Sequence, residues 1–174
     1  TWEITNLLQK LIINFYPENK LLYSKPIENH AKKPELIEIN NRNEQIAKIT
    51  EIIDKLVKKE KVLPKNIAVI YDGSIRAPSR SDPSLTTEIK KRGLGVVSAE
   101  EYSEPYLDKS KENCITLDSI RRFKGLEKTV IIVTNLDEIT RETVKNLYTG
   151  LSRARAHLII IANKKIINKI KSII

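Results

Sequence analysis

The chain has one cysteine, no methionine, one tryptophan and two phenylalanines among its 174 residues. With Cys114 alone, an intrachain disulfide is excluded, which fits a reducing cytoplasm. The ordinary reading of Cys114 is a small buried hydrophobe in a strand. Aromatics make up only 5% of a chain that is 40% hydrophobic, so Ile, Leu and Val must fill the core. No apolar run approaches the ~18–20 residues of a membrane span. Five glycines are too scattered to build a phosphate-cradling loop. No Gly-x-x-x-x-Gly-Lys-(Ser/Thr) string occurs anywhere, and no Gly-x-Gly-x-x-Gly turn follows a strand. The two histidines, His30 and His157, have no Cys or His partner nearby, so a metal site has no support. The chain opens Thr1-Trp2-Glu3 without an initiator Met, and this is expected of an excised piece of a longer protein.

Acidic residues are scarce at the C-terminal end. The net charge is +9. Residues 140–174 hold eight basic side chains (Arg141, Lys145, Arg153, Arg155, Lys164, Lys165, Lys169, Lys171) against Glu142, a balance of +7 that leaves +2 for the rest. A basic third of this kind suits an anionic partner, while a lysine-rich final helix is also what a plain solvated face looks like.

The size is that of one domain, 1–174. Ile4, Leu7, Leu8, Leu11 and Phe15 keep helical spacing, which predicts a helix from Thr1 to Tyr16. Leu36–Ile39 reads as a strand. A helix capped by Asn43 should run to about Lys61. Ile67–Tyr71 is an uninterrupted apolar run, expected of a strand buried on both faces. A loop over 73–84, a short helix Leu85–Lys91 and a strand at Gly95–Val97 follow. Residues 99–111 read as irregular. Strands at Cys114–Leu117, Val130–Val133 and Leu158–Ile161 alternate with helices over Thr140–Ala156 and Ile166–Ile173. Alternation of this kind with continuous apolar strands predicts an α/β fold with a mostly parallel sheet covered on both sides.

Two strings carry the chemistry. Phe123-Lys124-Gly125-Leu126-Glu127 lies between two strands, and ligands of such sheets gather at the strands' carboxyl ends. Gly125 lets the backbone turn or approach a ligand closely. Glu127 offers a carboxylate for hydroxyls, and Arg121, Arg122 and Lys124 form a positive cluster. In the helix over 140–156, Val144, Leu147, Leu151 and Ala154 form the apolar stripe. Arg153 then falls about 200° round from Leu151, at ~100° per residue, and points away from the core. Arg155 falls nearer the buried edge. An outward guanidinium on a rigid helix suits phosphate oxygens across a cleft. By position alone each of these residues is equally an ordinary turn or surface residue.

The strings Lys124-Gly125-Leu126-Glu127 and Tyr148-Thr149-Gly150-Leu151-Ser152-Arg153-Ala154 resemble motifs V and VI of the UvrD/Rep-like superfamily 1 DNA helicases. Ile67-Ala68-Val69-Ile70-Tyr71 resembles motif IV, and Thr1-Trp2-Glu3-Ile4 the opening of the second motor domain. The resemblance implies a RecA-like three-layer α/β/α domain, a P-loop NTPase-like fold without its own P-loop. It implies one half of an ATP-dependent helicase, whose first motor domain binds most of the ATP and Mg2+. It makes Arg153 the arginine finger. It places Glu127 on the ATP ribose, with Gly125 and Lys124 beside it. Ser119, Arg121, Arg122 and Thr116 would meet single-stranded or duplex DNA. The isolated piece is then expected to be inactive, working only when docked on its partner domain in the cytoplasm.

Three departures stand out. Tyr71 is followed by Asp72 where the family carries an arginine, for which Arg76 or Arg80 would have to compensate. Counting back from Lys124 puts the family's Thr and His on Ser119 and Arg121, whereas alignment on Thr116 leaves three extra residues. The connections also leave no room for a large inserted helical domain. Asp137-Glu138 is separated from its strand by Thr134–Leu136 and follows no phosphate loop, so it is not read as a magnesium-binding pair. A second class of function is a non-catalytic nucleic-acid-binding or protein-docking module that kept the fold, and Asp72 is the residue that favours it. A dinucleotide-binding domain lacks its glycine turn.

Overall fold

The computed structural model describes residues 2–18, 32–72, 83–98 and 109–174. In these residues six parallel strands form one sheet: β1 (Glu35–Glu38), β2 (Ile67–Tyr71), β3 (Gly95–Val97), β4 (Cys114–Ser119), β5 (Lys128–Thr134) and β6 (Ala154–Ala162). Their order is β1-β6-β5-β2-β4-β3, and each neighbouring pair is parallel. β2 is central because all five of its residues are apolar and buried, which only a strand covered on both faces can accommodate.

Helices cover both faces. On one face lie α1 (Trp2–Phe15), α4 (Arg141–Leu151) and α5 (Lys164–Lys171), packed on Ala68, Ile70, Ile131, Val133, Leu158 and Ile160. On the other, α2 (Arg42–Asp54) and its wider π turn Lys55–Lys59 pack with α3 (Pro83–Lys90) on Ile67, Val69, Ile115, Ile132 and Ile159. The alternation along each strand is the period-2 consequence of the pleat. This is the three-layer RecA-like architecture, with a sheet that is parallel throughout.

Helix starts are set by short polar side chains. Asn41, two residues before the expected cap, accepts from the Glu44 amide at 3.0 Å, and Glu44 reaches back to the Asn40 amide at 2.8 Å. Thr140 accepts from the Thr143 amide at 3.1 Å, and Asn163 caps α5 in the same way.

The helix expected over 140–156 ends at Leu151. Ala154 starts β6, which is four residues longer at its front than the run Leu158–Ile161 indicated. Ala154 is buried beside Leu147 and Leu151, so it extends the helical stripe while sitting in a strand. Lys128 pairs with Ala154 in the sheet, and that ladder outcompetes a further helical turn. His157, one residue ahead of the expected strand Leu158–Ile161, is inside β6 and buried, with Nε2 3.0 Å from Glu35 Oε1 on the edge strand. Burial holds its pKa below the usual value.

The connection from β4 to β5 passes over β2 on the α1/α4 face, where Ile120 and Phe123 are buried. Helix α4 lies directly on it. A Cβ at Gly150 would stand 2.9 Å from Ile120 Cγ2 and 3.4 Å from Ile70 Cδ1, so the close approach requires glycine.

Candidate functional site

Because the sheet is parallel, its two ends are chemically distinct. The carboxyl end collects Asp72, Ser119, Arg121, Arg122, Asn135, Asp137 and Glu138; the amino end collects Glu127, Lys128, Arg153 and Arg155. The sequence motifs therefore do not meet at the carboxyl end as expected. The crossover carries Glu127 to the far end, immediately before β5, and the turn after α4 delivers Arg153 to the same place, immediately before β6.

At that amino rim Arg153 Nη1 lies 3.9 Å from Glu127 Oε1, and Arg155 Nε lies 3.9 Å from Glu127 Oε2. Arg153 sits in a turn and not on the outward face of a helix. Its side chain is 38% exposed, yet its Nε is buried and meets no acceptor. Arg155 is 72% exposed and not at the buried edge, because strand alternation turns it away from the side on which Ala154 is buried. The rim is tied together by the Lys128 amide, which donates to the Arg153 carbonyl at 3.2 Å. The buried Lys128 ammonium donates to the Lys65 carbonyl at 2.5 Å. Burial, with Lys65 nearby, pushes its pKa down to about 7. Gly125 adopts φ +95°, a left-handed conformation that lets the chain turn ahead of Glu127.

At the carboxyl end the residues expected on nucleic acid separate into two groups. Arg121 is exposed and ion-paired with the exposed Glu142. It lines an open groove of about 680 Å³ with Tyr16, Lys124, Arg141 and Lys145. Arg141 stacks at 5.3 Å over the Tyr16 ring, whose hydroxyl donates to the Arg141 carbonyl at 2.7 Å. Lys124 thus belongs to this basic groove. Thr116 and Ser119 are buried in β4 and present no surface to a strand. Arg122 is committed inward: its Nε is 3.2 Å from Oδ1 of the fully buried Asp118, which also accepts from the Ser119 amide at 2.6 Å. That ion pair had no signal in the sequence, since it joins the last strand turn to a loop arginine four residues on.

Asp72 is half-buried, and its pKa is raised by burial against opposing hydrogen bonds from Asn146 and Thr143 of α4. Its carboxylate fastens the end of β2 to α4. It faces a small pocket of about 260 Å³ shared with Asp137, Glu138 and Glu142. Among the described residues no group of three or more His, Cys, Asp or Glu is placed to hold a metal ion. No described helix is long and apolar enough to cross a membrane. Arg76, Arg80 and His30 lie outside the described residues.

Comparison with known proteins adds two findings. Residues 115–161, which span β4 through most of β6 and include both motifs, match the family model of the UvrD-like helicase C-terminal domain. Among solved structures the chain is similar to the C-terminal domain of a possible DNA helicase from Lactobacillus plantarum WCFS1. The TM-score is 0.63 at 18% identity, over 94% of this chain and 85% of that one. At that identity the likeness is one of fold. No curated protein matches in sequence.

Proposed function

From the premise that residues 115–161 are a UvrD-like helicase C-terminal segment, we propose that the chain is the second RecA-like motor domain of an ATP-dependent DNA helicase. The observation that carries the proposal is the meeting of Glu127 and Arg153 on one rim. They are 26 positions apart in sequence and converge only because the crossover and α4 both return to the amino end of the sheet. The residues fit a nucleotide: Arg153 has a buried Nε–H without an acceptor, and Glu127 supplies a carboxylate for ribose hydroxyls.

In this reading ATP and Mg2+ are held mainly by a first motor domain, and this chain closes on them. Arg153 presents its planar donor fork to the terminal phosphate, where charge grows during phosphoryl transfer. A finger of this kind contributes about 10³–10⁵ in rate, or about 4–7 kcal/mol, and only when the partner domain is docked and water excluded. Arg121 and Lys124 meet the DNA backbone from the groove. Arg122, Ser119 and Thr116 support the strand end from inside. Closing and reopening of the two domains steps the strand along, in the cytoplasm, and this chain alone hydrolyses nothing.

The test is Arg153→Ala in the intact parent. DNA-stimulated ATP turnover is expected to fall by about 10³, with ATP binding largely intact. Near-normal turnover sinks the assignment. A second reading, a docking or nucleic-acid-binding module without motor activity, is favoured by Asp72, whose carboxylate is occupied by Thr143 and Asn146. A parent that binds DNA but shows no ATP turnover of any kind would select it.

A further inference from the structure

Arg155 has no part in the reading above, yet the geometry treats it as the twin of Arg153. The two guanidiniums approach opposite oxygens of the single Glu127 carboxylate, each at 3.9 Å. Arg153 reaches the carboxylate from the turn before β6, and Arg155 from the strand's second residue. The rim therefore presents two planar cations held by one anion. Glu127 spaces the pair at a distance longer than a hydrogen bond, so neither fork is saturated. Arg155 is 72% exposed and pays little to re-aim its side chain. A pair of guanidiniums on a common support is suited to a ligand with several anionic oxygens, since each fork can take a different phosphate group.

At the opposite end of the sheet, the position after β2 holds an acid. Asp72 stands there, a full strand length away, with its carboxylate turned to Asn146 and Thr143. We infer that Arg155 is a second polyphosphate-binding residue of the nucleotide rim, acting beside Arg153 with Glu127 as the spacer between them. The inference rests on the nucleotide reading of the rim. Arg155, being exposed, contributes mainly to holding the ligand, whereas the partly buried Arg153 acts at the transferring phosphate.

The experiment compares Arg155→Ala, Arg155→Lys and Arg153→Ala in the intact parent. Two measurements are made: titration with a fluorescent non-hydrolysable ATP analogue, and DNA-stimulated turnover. For Arg155→Ala the dissociation constant should rise about tenfold, the worth of one charge-assisted phosphate contact. Arg155→Lys should recover part of it, because the charge stays and the fork is lost. Thermal melting of the 174-residue chain should be unchanged by either variant, which separates ligand contact from a structural role. An affinity within twofold of the parent in Arg155→Ala, while Arg153→Ala loses turnover, overturns the role of Arg155 and leaves the rim reading standing. If both alanine variants keep turnover and affinity, the nucleotide reading falls along with it.

Discussion

Lys128 is the residue whose environment is most at odds with its chemistry. It sits at the first position of β5, 2% exposed, with its ammonium on the Lys65 carbonyl. In the unfolded chain it stays protonated up to about 10.4; in the fold it releases its proton at about 7. Between those values the unfolded state binds more protons, so stability rises with pH across that window, and below it the penalty is constant. The free energy of urea unfolding should therefore increase from pH 7 to pH 9. Lys128→Met, which keeps the length and removes the charge, should flatten that slope and add about 1–2 kcal/mol at pH 7. A slope equal in the two proteins would contradict the burial argument.

Among the elements, the β4–β5 crossover separates two neighbouring arginines that look alike in sequence. Arg121 makes a surface pair with Glu142, and such pairs are worth about 0–1 kcal/mol. Arg122 neutralises a carboxylate that has no exposure at all. Removing one partner of a buried pair leaves the other charge stranded. Arg122→Ala should cost about 2–3 kcal/mol in chemical denaturation, below the ~3–5 kcal/mol of a fully buried pair because Arg122 is itself partly exposed. Arg121→Ala should cost under about 1 kcal/mol. Equal losses would mean that Asp118 is held by other contacts. The difference was hidden in the sequence because which arginine turns inward depends on the helical turn that follows Ser119, with the Phe123 amide on the Ser119 carbonyl at 3.0 Å. The boundary of α4 was hidden for a related reason. Ala154 satisfies a helical stripe and a buried strand alike, and only pairing with Lys128 decides between them. By contrast, β2 was legible as it stands, since five consecutive apolar residues have no solvent-facing solution.

For the molecule as a whole, motif spacing singled out the candidate residues and concealed where they gather. Glu127 and Arg153 were identifiable as strings, but placing them at the amino end requires the strand order, which sends the crossover past β2. The same order puts Arg121 and Lys124 in a groove away from that rim. Binding of the two ligand classes should thus separate. Arg121→Ala combined with Lys124→Ala in the intact parent should weaken single-stranded DNA binding and flatten its dependence on salt by a slope of about 1–2, with affinity for a non-hydrolysable ATP analogue unchanged when DNA is absent. Loss of nucleotide affinity in that variant would place Lys124 on the nucleotide after all.

The crossover is coiled, not stretched. The Phe123 amide closes one turn on the Ser119 carbonyl, and the Leu126 amide closes a second on the Phe123 carbonyl, with Gly125 left-handed inside it. Ile120 and Phe123 are both buried and seat the first turn in the core beneath α4. Arg121 and Glu127 are thus the two ends of one short folded strip, so the groove and the rim share a single footing in the core.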